Sequence, residues 1–171
     1  MTNREIMLSA LRMQTFPKLK ELGFTGKYPN FRRELEHCIE LISFQPNKWG
    51  GSFTVEVSAV FPDSENKNYT LYDSVTEETL SVAATNKRCR LPGMFDGWFY
   101  YRDVYRKRIL FEGTHYYDIP EKEAVGFIPP RGYTQVQKFD ENAAVQICSE
   151  LNRQLEQAYR WLKDFEQSNR R

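Results

Sequence analysis

Arginine and aromatic side chains recur together through the middle of the sequence, on or beside predicted strands. Guanidinium groups set among aromatic rings can bind an anion, a nucleobase or an acidic protein surface. The candidate binding residues are Arg33, Gln45, Lys48, Trp49, Arg90 and Trp98. The two arginines would contact the anion, and the two tryptophans would supply flat apolar surface near the end of a hairpin. In the competing interpretation, which applies more often in proteins, such arginines form only the solvated face of a half-buried sheet.

Catalytic chemistry has few candidates. His37 stands next to Cys38, but adjacent strand residues point to opposite faces, so they cannot form a thiol–imidazole pair. His115 and Asp118 would suit an acid–base couple, yet neither a Gly-x-Ser-x-Gly elbow nor a further histidine completes a site. We therefore predict no catalytic residue and favour a protein that is not an enzyme.

No metal or cofactor is predicted either. The two histidines are too few and too far apart to specify a transition metal. The three cysteines, Cys38, Cys89 and Cys148, form no Cys-x-x-Cys motif and are odd in number, which argues against a zinc site and a disulfide framework. Reduced thiols in a reducing compartment fit this pattern.

The charge balance is nearly even, with 24 Lys and Arg against 23 Asp and Glu, a net charge of +1. This removes the general electrostatic argument for a nucleic-acid or membrane partner, although it leaves room for a local patch. No apolar run approaches the roughly 20 residues of a membrane span, and the N-terminus lacks the apolar segment of a signal peptide. We expect a cytoplasmic protein with no membrane or nucleic-acid partner.

The candidate residues must be positioned by a sheet, and its clearest strand runs from Phe53 to Phe61. Apolar side chains there alternate with serine, threonine and glutamate, which predicts one buried and one solvated face. The stretch Leu35–Gln45 carries apolar groups on both faces, as a central strand covered on both sides would. Pro46, Asn47 and two glycines supply a turn too short for a crossover helix, so this pair of strands should be antiparallel.

An N-terminal helix is predicted over residues 3–22. Thr2 and Glu5 fit a capping box, leucines follow at spacings of three and four, and Gly23 suits a C-terminal cap. Pro17 lies inside this pattern, so we expect a kink or two shorter helices.

A C-terminal helix is predicted over residues 141–167. Its apolar residues alternate spacings of four and three without a miss, and the resulting stripe should lie on the sheet. The heptad-like spacing would also suit a partner helix, but packing in the core is the favoured interpretation.

The sheet is expected to span residues 28–138, with irregular arms at 63–87 and 113–132. The first arm would be a short helix or an irregular segment over the sheet. Further strand segments are predicted over residues 88–91, 97–111 and 133–138. The sequence therefore predicts one α+β domain over residues 1–171, in which a single antiparallel sheet is packed on one face by the N-terminal helix and the long C-terminal helix.

A series of short motifs resembles a family. They are Leu22-Gly23-Phe24, Asn30-Phe31-Arg32-Arg33, Phe44-Gln45 with Lys48-Trp49, Phe53, Arg88-Cys89-Arg90-Leu91, Gly97-Trp98 and Trp161-Leu162-Lys163-Asp164-Phe165. In this order they look like the landmarks of the bacterial domain of unknown function numbered 4304. The segment from Asp103 to Lys138 departs from that compact pattern. The resemblance implies a small bacterial cytoplasmic α+β domain and brings no functional residue with it, since the family has no established activity.

Three functions remain open. The first, which we favour, is a non-catalytic binding protein, such as an immunity or antitoxin-like inhibitor that blocks a toxin by contact. The second is a binding module for a small anionic ligand, phosphorylated or nucleotide-like. The third is an enzyme without a recognisable motif.

Overall fold

A computed structural model of the chain describes residues 1–64, 67–70, 76–110, 114–118 and 133–169. Within these ranges, short helical segments precede two antiparallel sheets, and one long helix ends the chain. The helical elements are α1 (Asn3–Ala10), a π-helical turn (Leu11–Thr15), α2 (Phe16–Glu21), two 3₁₀ turns (Glu77–Thr79 and Val82–Ala84) and α3 (Glu141–Ser168). The strands are β1 (Thr25–Lys27), β2 (Asn30–Glu34), β3 (Ile39–Pro46), β4 (Ser52–Val60), β5 (Cys89–Arg90), β6 (Phe99–Tyr100), β7 (Val104–Leu110), β8 (Thr114–Asp118) and β9 (Tyr133–Gln137).

The predicted hairpin lies at the centre of the main sheet. Strands β3 and β4 pair antiparallel with Ile42 opposite Val57. Gly50 and Gly51 close the turn with φ values of 81° and 74°, in the left-handed region that favours glycine. The main sheet has the order β1-β2-β3-β4-β5, and β6 also pairs with β4. The predicted α+β class with an antiparallel sheet is confirmed.

The strand predicted over Leu35–Gln45 begins later in the structure than the sequence indicated. Strand β2 ends at Glu34, the Leu35 N–H donates to the Cys38 carbonyl over 2.8 Å, and β3 begins only at Ile39. The chain therefore reverses at an exposed polar bend around Glu36, where a straight strand would have left charged groups inside the sheet.

Both faces of β4 are buried along its whole length, which the alternating pattern did not predict. The polar face, expected to be solvated, is covered at one end by the segment that carries the 3₁₀ turns. Leu41 and Val60 pack there in a second apolar cluster with Tyr69, Leu80, Val82 and Ala84. The arm predicted over this part of the sheet is thus present.

The N-terminal helix contains the predicted capping box, in which Thr2 and Glu5 satisfy each other's backbone N–H groups. Its predicted interruption takes the form of the π-helical turn, where the N–H of Phe16 donates to the carbonyl of Leu11, five residues back. Pro17 follows directly. Because proline has no N–H, it cannot continue the ordinary ladder, and the wider turn brings it to the start of α2 instead.

Helix α3 confirms the predicted C-terminal helix to within one residue at its end. The Asp140 side chain accepts from the N–H of Ala143 and caps it. Its apolar stripe is buried against the sheet and α1, in a core that includes Met7, Phe44, Val55, Val57, Leu151, Leu155 and Leu162. At 1.5 Å per residue the helix is roughly 42 Å long, enough to roof the whole sheet.

A second, three-stranded sheet has the order β8-β7-β9. The predicted segment 97–111 thus contains two strands in different sheets, β6 and β7, and the predicted strand near residue 133 pairs with β7. Within the arm expected to be irregular, Thr114–Asp118 is a strand, because its aromatic and β-branched residues favour pairing and the first proline comes only at Pro120. Residues 113 and 119–132 of that arm lie outside the described part of the chain.

Candidate functional site

Two of the predicted binding residues contact the carboxylate of Glu56, a buried residue that is 2% exposed. Its Oε1 accepts from Nε and Nη2 of Arg90 at 2.9 and 2.8 Å, and its Oε2 accepts from Nε2 of Gln45 at 2.8 Å. Arg88 adds a longer contact, with its Nε 3.4 Å from Oε2. The pairing of Glu56 with Arg90 follows directly from the register of β4 and β5. Arg90 therefore neutralises a carboxylate of its own chain.

Arg33 makes the same kind of contact on the other face of the sheet. Its Nε and Nη2 lie 2.7 and 2.5 Å from Oε2 of the buried Glu40, and its Nη1 donates to the Leu22 carbonyl over 2.6 Å. Its guanidinium carbon also lies 4.8 Å from the ring centre of Phe24. The structure thus separates Arg33 from Arg90, and their role as anion contacts stays a prediction.

Glu40 should make the free energy of unfolding depend on pH, in a direction that follows from its pKa shift. Burial raises the pKa of Glu40 above its ordinary value of 4.5, although Arg33 opposes the shift. Because the pKa is raised in the folded state, the contribution of Glu40 to stability is greatest below pH 4.5 and is lost as the pH rises through the raised pKa. We expect Glu40→Gln to gain stability relative to the wild type as the pH rises from 4 to 7.

Urea unfolding of both proteins at several pH values measures this difference. Any constant cost of the substitution cancels from the trend, so only the slope matters. A difference that stays flat, or that falls with rising pH, would show that Arg33 and not burial controls the carboxyl group.

Lys48 and Trp49 lie in the turn between β3 and β4. The Trp49 side chain is 72% exposed, and Nζ of Lys48 lies 4.8 Å from its ring centre. The backbone under them is held by Asn47, whose side chain accepts from the N–H of Trp49 and whose carbonyl accepts from the N–H of Gly50, both over 2.9 Å. The turn therefore holds a large aromatic side chain in solvent.

The segment Pro92–Trp98, here called the 92–98 loop, connects β5 to β6 and has an unusual backbone. Three of its seven residues, Gly93, Asp96 and Gly97, have positive φ values of 69°, 52° and 80°. Glycine adopts such values freely, and aspartate is among the few other residues that tolerate them. The loop is closed internally by the N–H of Gly97 donating to Pro92 and by mutual backbone bonds between Phe95 and Trp98. Its shape is therefore fixed.

Gln154 on α3 clamps this loop from the core side. Its side chain is 2% exposed, its Oε1 accepts from the N–H of Gly93 over 2.9 Å, and its Nε2 donates to the Gly93 carbonyl over 2.8 Å. The same Nε2 donates to Oε1 of Glu150 over 2.6 Å. Hydrogen bonds from Arg153 and Gln154 lower the pKa of Glu150 to about 2, so this support stays charged through the physiological range.

The clamped loop presents two large apolar side chains to solvent. Met94 is 51% exposed and Phe95 is 53% exposed, whereas Trp98 is half-buried beneath them. Of this group only Trp98 was predicted from the sequence. The flanking Pro-Gly and Asp-Gly dipeptides are the signal that would have indicated a turn carrying Met94 and Phe95 at its tip.

The residues weighed for catalysis lie apart. His37 is exposed in the bend before β3 and Cys38 is buried beside it, while His115 and Asp118 belong to β8. Within the described ranges, no group of three or more metal-binding side chains comes together. Among the helices of those ranges, none combines the length and apolar character needed to cross a bilayer.

Comparison with known proteins gives one match. The model of the family described as a domain of unknown function, DUF4304, matches residues 15–103, which is 89 of the 171 residues. The match ends where Asp103 begins the segment predicted to depart from the family pattern, and the terminal motif around Trp161 falls outside it. No curated protein and no solved structure matches the chain.

Proposed function

The chain belongs to the DUF4304 family, whose function is unknown, and from that premise we propose that it is a non-catalytic binding protein that recognises another protein through the 92–98 loop. The observation that carries this proposal is the combination of a loop backbone that is fixed by Gln154 and by internal hydrogen bonds with two exposed apolar side chains, Met94 and Phe95.

The energetics of binding favour such a loop. Because Phe95 is 53% exposed, covering the rest of its side chain with a partner surface contributes roughly 1 kcal/mol, and the methionine beside it adapts to irregular partner surfaces. Because Gln154 and the internal hydrogen bonds already order the loop, little conformational entropy is lost on association. The loop therefore has the features of an interface hot spot.

Trp49 offers a second contact for the same partner. Strand β6, which follows the loop directly, pairs with Ser52 and Phe53, which follow the hairpin turn. The turn and the loop therefore lie at the same end of β4. A partner that covers both would bury three large apolar side chains, among them two aromatic rings of the kind that dominates interface energies.

In its finer form, we propose an immunity or antitoxin-like inhibitor that acts in the bacterial cytoplasm by covering a toxin or another protein. A partner recovered with the chain should then lose its own activity in the complex. If the bound partner retained full activity, protein recognition would still hold, but inhibition would be excluded.

Substitution of the loop tip tests recognition itself. We expect the double variant Met94→Ser/Phe95→Ser to retain its fold, because both side chains are about half exposed and lie outside the apolar core, and to lose at least tenfold of its affinity for the partner. The measurement is affinity capture from the source organism with wild-type and variant proteins side by side, quantified by mass spectrometry.

The matched control is Met13→Ser/Val145→Ser, which removes two exposed apolar side chains from helical surfaces away from the loop. It should capture the same partner as the wild type. If the loop variant captures that partner equally well, or if the wild type captures no protein that the loop variant lacks, recognition through the loop is wrong.

A further inference from the structure

A cavity of about 500 Å³ lies at the opposite edge of the main sheet, between α2 and the β1–β2 hairpin. This volume falls within the range of about 300–1,000 Å³ that is usual for small-molecule sites. Its wall combines cationic and aromatic side chains, namely Arg12, Lys20, Lys27, Phe16, Tyr28 and Phe31. Among the described residues, none of those that line it is acidic.

The cations around this cavity differ from the arginines predicted as anion contacts. Arg32, Arg33, Arg88 and Arg90 each form a salt bridge with a glutamate of the same chain. Over the ranges that the structure describes, the cations of the cavity, Arg12, Lys20 and Lys27, make neither a salt bridge nor a side-chain hydrogen bond. Three positive charges therefore face one cavity with no salt-bridge partner among the described residues, in a chain whose net charge is only +1.

The aromatic side chains form a continuous wall behind these charges. The ring of Phe16 lies 6.1 Å from that of Tyr28 and 5.1 Å from that of Phe31, measured between centroids. Phe16 and Tyr28 are half-buried, so part of each ring faces the cavity. Burial raises the pKa of Tyr28, so its phenol stays protonated and can donate a hydrogen bond.

One side of the cavity is formed by the π-helical turn, which carries Arg12. Asn152 of α3 donates from Nδ2 to the Gln14 carbonyl over 3.3 Å and so supports a backbone group within the turn. Single π-helical turns are rare and are often found at functional sites. The turn thus presents Arg12 over the aromatic wall from a backbone anchored to the core.

We propose that this cavity binds a small aromatic phosphate, such as a mononucleotide, with the planar group against Phe16 and Tyr28 and the phosphate between Arg12, Lys20 and Lys27. Rings of this kind accept a stacked base, and lysine and arginine are the usual partners of phosphate. The site lies at the β1 edge of the main sheet and the 92–98 loop lies at the opposite edge, between β5 and β6, so we expect ligand binding to be independent of partner recognition.

Isothermal titration calorimetry with adenosine 5′-monophosphate tests the site on the full chain. We expect saturable binding by the wild type, about tenfold weaker binding by Lys20→Gln, and loss of binding by the triple variant Arg12→Gln/Lys20→Gln/Lys27→Gln. Thermal unfolding should show that each variant is folded, because the three side chains are on the surface.

Lys18→Gln is the matched control, since Lys18 lies on the same short helix but lines a different cavity, beside Leu155 and Tyr159. It should bind the nucleotide like the wild type. No binding by the wild type, equal binding by the triple variant, or an equal loss in Lys18→Gln would each overturn the proposal. Separate titrations with inorganic phosphate and with adenosine should both be weaker, and a phosphate affinity equal to that of the nucleotide would exclude the aromatic contact.

The two proposed sites can fail separately. Met94→Ser/Phe95→Ser should bind the nucleotide with wild-type affinity, because its substitutions lie at the far edge of the sheet. The triple cation variant should in turn capture the protein partner unchanged.

Discussion

Gly93→Ala should lower the free energy of unfolding by about 4 kcal/mol, since it combines backbone strain with a collision. A Cβ at this position would lie 2.4 Å from the N atom of Trp98 and 2.7 Å from its carbonyl oxygen. Both are backbone atoms that cannot rotate away. The φ of 69° adds the penalty that any L side chain meets in the left-handed region. Urea unfolding measures the loss, and the 92–98 loop should lose its clamped shape with it.

Gly50→Ala separates the two causes. Its φ of 81° imposes similar strain, but a Cβ there would meet no atom within 4 Å. We expect it to cost only about 1 kcal/mol. Equal effects of the two substitutions would mean that the 92–98 loop relaxes around a methyl group. The loop would then not have the fixed shape on which the proposed protein recognition depends.

Arg90→Ala should destabilise the fold by about 3 kcal/mol, more than the removal of the glutamate to which it binds. The reason is that Glu56 is buried and the guanidinium is half-exposed, with 49% of the Arg90 side chain open to solvent. Loss of Arg90 leaves a buried carboxylate without its two shortest charged contacts. Glu56→Gln leaves an arginine that water can solvate, and should cost about 1 kcal/mol. Equilibrium unfolding of both variants provides the comparison.

Arg88→Ala is the internal control, because its contact with the same carboxylate is longer at 3.4 Å and should contribute under about 1 kcal/mol. If Arg90→Ala proves as mild as Arg88→Ala, the guanidinium is not needed for folding. It would then be available to an external anion, as the sequence suggested.

The spacing of apolar residues predicted the central strand β4 and the long helix α3. The alternation from Phe53 to Phe61 identified the face of β4 that α3 covers, and the spacings of four and three identified α3 itself. Such patterns report which side of an element is apolar. They carry no information about what lies on the polar side, so the burial of Glu56 among residues of two other strands could not be predicted.

The candidate sites depend on contacts distant in sequence. Met94 and Phe95 would be assigned to the core by composition, and they are exposed because Gln154, about 60 positions further on, fixes the loop. Arg33 and Arg90 were identified by residue type, but their glutamate partners explain their positions. Lys20 and Lys27 resemble ordinary surface lysines in the sequence, and only the placement of α2 beside the β1–β2 hairpin brings them to one cavity.

The long helix that ends the described chain sets the order of events during synthesis. Asn152 reaches back to Gln14, and until α3 leaves the ribosome the apolar side of the hairpin can be covered by the N-terminal helical segments but not by α3. At typical rates of translation, roughly 5 to 20 s pass between the emergence of β4 and that of the last turn of α3. During that interval the part of the apolar face that α3 covers stays exposed. A fragment cut to the family-matched residues 15–103 would lack both α1 and α3, so we expect it to expose that apolar face and to aggregate.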